Sequence, residues 1–298
     1  MSNLVLALVC LLIGKLLQHV RQFPASSAQT LNLYVIYVAL PALILLQIPK
    51  LTFSLASLAP VAVAWLVMGI SAGITWLVAG RWRLDRPVTG ALLLVITLGN
   101  TSFIGFPLIS AYLGPTALPY AILYDQLGTF LALNTLGVAI ANHYTDSPSN
   151  ASEPLWLKML RFPPLGALLL GVVLGWFAPF EPLNNLLSGI AATLVPVVMV
   201  AVGMQWRLRI DRREYGLIAF ALGFILMVKP AIAFTIVSLM QLDPFIAKIS
   251  VLEAGMPAMI SASALAVAYN LAPRLAATII GYSLMLCFVT TWVWNALL

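Results

Sequence analysis

Charge is what this sequence has least of. Only 8% of its 298 residues are Asp, Glu, Lys or Arg, against roughly 25% in a soluble domain. The missing charge excludes a soluble globular fold, and 62% hydrophobic content points to lipid as the solvent. Cysteine is nearly absent, with Cys10 and Cys287 lying inside apolar stretches near opposite chain ends. That excludes a disulfide framework and leaves two buried thiols. Histidine is limited to His19 and His143, both at the ends of apolar runs. There is no H-E-x-x-H, no pair of aspartates at metal-binding spacing and no Ser/His constellation, so the chain does not read as an enzyme. A basic n-region is also missing, since nothing charged precedes Lys15. The first apolar run is therefore expected to stay as a helix rather than be removed as a signal peptide.

What is present is a succession of apolar runs. At about 20 residues per transmembrane helix the composition supports nine or ten spans with short loops and no soluble catalytic domain. Punctuation by Pro, Gly and charge gives ten candidate segments: 3–20, 28–48, 57–79, 88–113, 117–142, 163–178, 183–206, 214–240, 245–271 and 275–297. The predicted fold is an all-α integral membrane protein. One polar stretch, 143–162, separates a first half (1–142) from a second (163–298) and reads as a linker.

The net charge of +6 sits singly or in small groups beside apolar runs, not on a basic face, so nucleic acid is not the implied partner. It is a topology signal. The loops after segments 1, 3, 5, 7 and 9 carry Arg21; Arg81, Arg83 and Arg86; Lys158 and Arg161; Arg207, Arg209, Arg212 and Arg213; and Arg274, while the opposite side carries Lys50 and Lys248. The positive-inside rule then predicts both termini outside and a cytoplasmic linker, in a membrane expected to be the plasma (bacterial inner) membrane. The Asn150-Ala-Ser152 sequon is accordingly read as accidental. Trp76, Trp82, Trp206, Trp292 and Trp294 fall at segment ends, as interface anchors do.

Five segments on each side of the linker force the second half to run opposite to the first, so a 5+5 inverted repeat is predicted. Matched irregularities support it. Val38-Ala-Leu-Pro41 corresponds to Thr193-Leu-Val-Pro196, and Gly99-Asn-Thr-Ser-Phe-Ile-Gly-Phe-Pro107 in segment 4 to Gly255-Met-Pro257 in segment 9. Interior proline removes a backbone hydrogen bond and clashes with the preceding turn, at about 3 kcal/mol or more. Irregular backbone survives at membrane depth only where protein buries it or it lines a watery cavity. Paired interruptions in two halves of a repeat are the sequence pointer to a transport site.

Asp125, Lys229 and Glu253 are the ionisable residues deepest in the runs, where a charge costs about 2.5 to 3.5 kcal/mol on insertion scales. One lysine can pair with one carboxylate, and the second carboxylate then needs a proton, a metal cation or hydrogen-bond donors. Lys15 and Lys248 lie nearer segment ends and are expected to snorkel to the headgroups. A half-helix starting near Pro107 or Pro257 would offer N–H groups and a positive dipole end to a carboxylate, with hydrogen bonds from Asn100, Thr101 and Ser102 and the deep cation of Lys229. Oxygen ligands for a cation could come from Glu253, Asp125, Thr129, Asn100 and Ser102.

At Leu98-Gly-Asn-Thr-Ser-Phe-Ile-Gly-Phe-Pro107, Leu40-Pro41-Ala42-Leu43 and Met256-Pro257 followed by Ser261-Ala-Ser263, the chain resembles the auxin efflux carrier family of bacterial and plant transporters. The resemblance covers the whole chain. It implies the architecture shared with bile acid:sodium symporters: a scaffold from helices 1, 2, 6 and 7, a transport core from helices 3–5 and 8–10, broken helices 4 and 9 crossing at the midplane, and a homodimer formed through the scaffold. It also implies elevator-like alternating access for a small organic anion, a mono- or dicarboxylate or an auxin-like molecule. Glu253-Ala-Gly-Met256 is similar to the symporters' sodium-binding break, while Pro257 follows the auxin carriers. The readings left open are coupling to Na⁺ or H⁺ at Glu253 and Asp125, with Asn100 as a further sodium ligand and Thr129 beside them; uncoupled facilitation or export; and a channel or sensor. No resident cofactor is implied.

Overall fold

The computed structural model describes residues 2–24, 26–51, 54, 56–145, 161–176, 181–206 and 214–298. Most of the linker lies outside them, as do Lys158, Arg207, Arg209, Arg212, Arg213 and the Asn150 sequon. Among the described residues the chain is helical and has no strand, only an isolated antiparallel bridge between Gly99 and Ala258. Five helical runs are long and apolar enough to cross a membrane: Ser27–Lys50, Ala56–Arg81, Leu183–Gln205, Tyr215–Leu239 and Pro273–Leu297. Shorter apolar helices cover Leu4–Leu17, Arg86–Thr97, Thr101–Leu113 and Pro163–Leu174.

Chain packing divides the molecule into two discontinuous units. The first comprises Met1–Ser57, Ser102–Ile122 and Glu153–Trp206, and the second Leu58–Thr101, Leu123–Ser152 and Arg207–Leu298.

In the first unit, the Ser2–Leu17 helix packs along Leu194–Gln205. Their backbones touch because both contact positions lack a side chain. A β-carbon on Gly14 would sit 2.1 Å from the Val200 carbonyl oxygen, and one on Gly203 would sit 2.1 Å from that of Leu11. Small residues at such crossings let dispersion do what the hydrophobic effect cannot do between helices in lipid. The opposite face of Ser2–Leu17 leaves Val5, Leu6, Val9, Leu12, Ile13 and Leu16 exposed, as a helix facing hydrocarbon should. Lys15 is tied to protein: its Nζ donates to the Trp206 carbonyl (2.7 Å), and the Gln18 amide donates to the carbonyls of Gly203, Met204 and Trp206. A cation and an amide thus cap the end of a neighbouring helix, where orphan carbonyls and the negative dipole end favour them. The Trp206 ring lies under the Lys15 ammonium, 5.6 Å from centroid to Nζ.

In the second unit, the Arg86–Thr97 helix is the centre. Every residue from Thr89 to Thr97 is buried, beneath Ala59–Arg81, Val138–Tyr144, Ile260–Ala268 and Pro273–Leu297. A helix apolar all round is what a fully buried position requires. Pro244–Ala254 starts at Asp243, whose carboxylate accepts from the Phe245 and Ile246 amides, a standard N-cap with proline at the first turn. Lys248 is also tied to protein, its Nζ donating to the Asn295 carbonyl at 2.8 Å.

Three prolines in the interior of helical runs are absorbed in one way, while Pro196 follows a turn at Thr193 instead. Val35–Ala39, Thr101–Gly105 and Phe224–Val228 are wide π-turns, and each is followed by one residue and then by Pro41, Pro107 or Pro230. Widening the turn moves the carbonyl that the proline ring would strike and removes the demand for its missing N–H. Two further π-turns, Tyr124–Phe130 and Leu133–Gly137, have no proline, and the first contains Asp125.

Candidate functional site

The site is built in the second unit, where two helices stop and their loose ends pair. The Arg86–Thr97 helix ends at Leu98, whose backbone is extended (ψ 115°). The Pro244–Ala254 helix ends at Gly255, and the chain turns helical again only at Ile260. In hydrocarbon the freed backbone groups need partners, and each break supplies them to the other. The Asn100 amide donates to the Pro257 carbonyl (2.7 Å) and the Met259 amide to the Leu98 carbonyl (3.0 Å). Ala258 donates its amide to the Ser283 hydroxyl oxygen at 3.1 Å, and that hydroxyl donates to the Ile280 carbonyl.

Three side chains bring charge to this junction. Asp125 is 2% exposed and accepts from the Thr101 hydroxyl (2.5 Å) and the Gln126 amide nitrogen (2.7 Å). Glu253, one residue before the end of its helix, is completely buried, and neither carboxyl oxygen has a hydrogen-bond partner among the described residues. It lies within electrostatic reach of Asp125 and of Tyr124. Lys229 stands directly after a π-turn and is 2% exposed. A β-carbon on Gly99 would be 3.5 Å from its Nζ and 3.7 Å from the Met256 carbonyl oxygen, so the ammonium lies against the backbone of the first break.

The arrangement differs from the sequence expectation in several respects. Lys229 is in an ion pair with neither carboxylate among the described residues. Asp125 is instead supported by donors from Thr101 and Gln126. Pro107 does not start a half-helix: the π-turn beginning at Thr101 carries the helix through it, so the N-terminal end lies six residues earlier. Pro257 lies in the non-helical link, and the second half-helix starts at Ile260. Asn100, Thr101, Gly255, Met256 and Pro257 sit at the two breaks, and Thr129 is buried four residues on from Asp125. Ser102 and Pro107 fall in the first unit.

Sequence reasoning missed Gln126 and Ser283. Glutamine next to the aspartate was a visible signal, because a second polar residue at such depth rarely goes unused. Ser283 was one of several hydroxyl residues in a long apolar run, with Thr278, Tyr282, Thr290 and Thr291, and gave none. Two indoles bond to carbonyls within π-turns: Trp294 donates to that of Leu226, in the turn before Lys229, and Trp65 to that of Leu127, in the turn that contains Asp125.

Chemically, Asp125 has donors that favour its charged form, while an ionised Glu253 would be a buried charge with none. The carboxylate oxygens of Glu253 and the buried, unpartnered Gln126 Oε1 are acceptors lacking a donor. A buried carboxyl without donors fits a proton or a hard cation on Glu253. Among the described residues no three of His, Cys, Asp and Glu converge as a transition-metal site would require.

Comparison with known proteins agrees with the sequence resemblance. A family model described as a membrane transport protein matches residues 1–295. An uncharacterized transporter of Methanothermobacter thermautotrophicus is 29% identical over 294 residues, covering 98% of this chain and 96% of its own. An uncharacterized transporter of Methanocaldococcus jannaschii is 28% identical over 308 residues, covering 99% and 98%. With that match running across both units and both helix breaks, the chain belongs to the membrane transport protein family, the auxin efflux carriers.

Proposed function

We propose that the protein is a secondary carrier for a small organic anion, a mono- or dicarboxylate, whose movement is coupled to Na⁺ or H⁺ at Glu253 and Asp125. The observation that carries this is the fully buried Glu253, without a donor for either oxygen, beside Asp125 at the junction of two broken helices. A carboxyl group held in that way binds a cation or a proton at small cost and releases it when the surroundings change. Asn100, Thr101 and the Gly255-Met256-Pro257 link provide the polar backbone and side chains for the anion, and Lys229 the positive charge.

The division into two units supports alternating access of an elevator kind. One unit holds segments 1, 2, 6 and 7 with the second half of segment 4 and the start of segment 5; the other holds segments 3, 8, 9 and 10 with the first half of segment 4 and the rest of segment 5. Segments that are distant in sequence but share a unit are what an inverted 5+5 repeat of scaffold and core would give.

The test is thermal stability of the purified protein with a panel of carboxylates, with and without Na⁺ at constant ionic strength and at two pH values. A ligand that binds only the folded state raises stability by mass action, by about 2.7 kcal/mol at one hundred times its Kd. The expected result is a carboxylate whose effect depends on Na⁺ or on pH and loses that dependence in Glu253→Gln. An anion effect indifferent to both would remove the coupling, and the absence of any anion effect would remove the substrate class.

A further inference from the structure

We infer that the second unit carries a binding site for an anionic phospholipid headgroup, at the turn joining Ala59–Arg81 to Arg86–Thr97. A cavity of about 510 Å³ opens there, lined by Arg81, Arg83 and Arg86 at its rim and by Trp76 and Leu77 one helical turn deeper. Three arginines line it, against Asp85 as the single acidic residue of the same turn. Arg86 is held in place, donating to the His143 carbonyl and lying over the Tyr144 ring at 5.8 Å. Arg81 and Arg83 have neither an ion pair nor a side-chain hydrogen bond among the described residues. Two exposed arginines beside a positioned third match the oxygens of a phosphodiester, which guanidinium groups bind in a fork.

Backbone strain gives an independent argument. Arg83 occupies the left-handed region (φ 53°) at a helix end closed by Leu84 N–H to the Ala79 carbonyl and Arg83 N–H to that of Gly80. This is the capping position where glycine is normally favoured. A side chain kept there at conformational cost points to a use for that side chain.

The apolar floor selects lipid over a free anion. Trp76 and Leu77 are 58% and 63% exposed, and they lie where acyl chains would run below a headgroup bound by the arginines. Trp82 is fixed beside the site by an edge contact to Phe220, with ring centroids 5.1 Å apart. A basic rim over an aromatic and aliphatic floor at a helix end is the physical form of an anionic-lipid site.

The test uses the purified full-length protein in neutral detergent, with lipid retention read by native mass spectrometry and stability by thermal unfolding. Phosphatidylglycerol is compared with phosphatidylcholine of the same acyl chains, and with glycerol 3-phosphate and inorganic phosphate. Phosphatidylglycerol should be retained and raise Tm, and Arg81→Gln/Arg83→Gln should weaken its retention roughly 30-fold, about fivefold per arginine. Arg83→Gly separates binding from folding: it should leave Tm in neutral detergent unchanged or higher while weakening phosphatidylglycerol retention. Equal retention of phosphatidylcholine, undiminished retention in either variant, or a Tm shift fully reproduced by inorganic phosphate or glycerol 3-phosphate would overturn the proposal.

Discussion

Asp125 accepts from donors of different origin, among them the hydroxyl of Thr101 at a helix break and the amide of its own neighbour Gln126. A hydrogen bond to a buried charged group contributes about 1.5 to 3 kcal/mol. Thr101→Val, nearly identical in shape, should therefore lower unfolding stability by that amount, while Thr101→Ser stays near the parent; thermal unfolding of both in the same detergent checks it. Lys15 invites a parallel experiment far from this site. Lys15→Met removes the charge-assisted bond to Trp206 while keeping the aliphatic stem, and should cost about 1 to 2 kcal/mol. A lysine that merely reached for headgroups would show almost no change. At this scale the sequence was legible wherever a residue was improbable in its surroundings. Asp125, Glu253 and Lys229 stand out because charge is costly in apolar runs. Which atoms meet was not legible: Thr101 was expected to serve the substrate and instead donates to Asp125, and Ser283, which holds the Ala258 amide, gave no signal because a serine is compatible with many roles.

The pairing of Gly14 with Gly203 makes a sharp prediction for the elements they join. An added β-carbon at either position would meet a backbone carbonyl at 2.1 Å, and backbone cannot rotate aside as a side chain can. Gly203→Ala should cost about 1 to 3 kcal/mol through forced separation of the two helices. Gly69→Ala and Gly73→Ala, where a β-carbon meets nothing within 4 Å, should be neutral or stabilising by up to about 1 kcal/mol. Unfolding by a denaturing detergent ranks the four proteins, and equal costs at all three sites would show that helix propensity, not packing, governs. Glycines alike in sequence differ here only by what faces them. Prolines were partly legible: Pro41, Pro107 and Pro230 announce a disturbed helix, but the sequence does not say whether the helix kinks, stops or widens. In this chain each is preceded by a π-turn. Where backbone also had to separate, at Gly99 and Gly255–Pro257, the signal was a cluster of small and polar residues beside proline, and these are the breaks that pair.

For the whole molecule the question is whether the two units allow access from one side at a time. Ser261 serves as a reporter, being exposed and one residue into the helix that follows the second break. In a background with Cys10 and Cys287 replaced by Ala, Ser261→Cys can be challenged with a membrane-impermeant thiol reagent from either face of a vesicle. Cys10 and Cys287 are buried at 7% and 0% exposure, so each replacement needs its stability checked first. Alternating access predicts that substrate and coupling cation shift labelling between faces reciprocally, because a ligand moves an equilibrium only by its differential affinity for the two states. A continuous pathway predicts labelling from both faces at once, without a reciprocal shift. Labelling from neither face under any condition would place Ser261 against lipid. Ser263, half-buried two residues on, then takes over as the reporter of the same question.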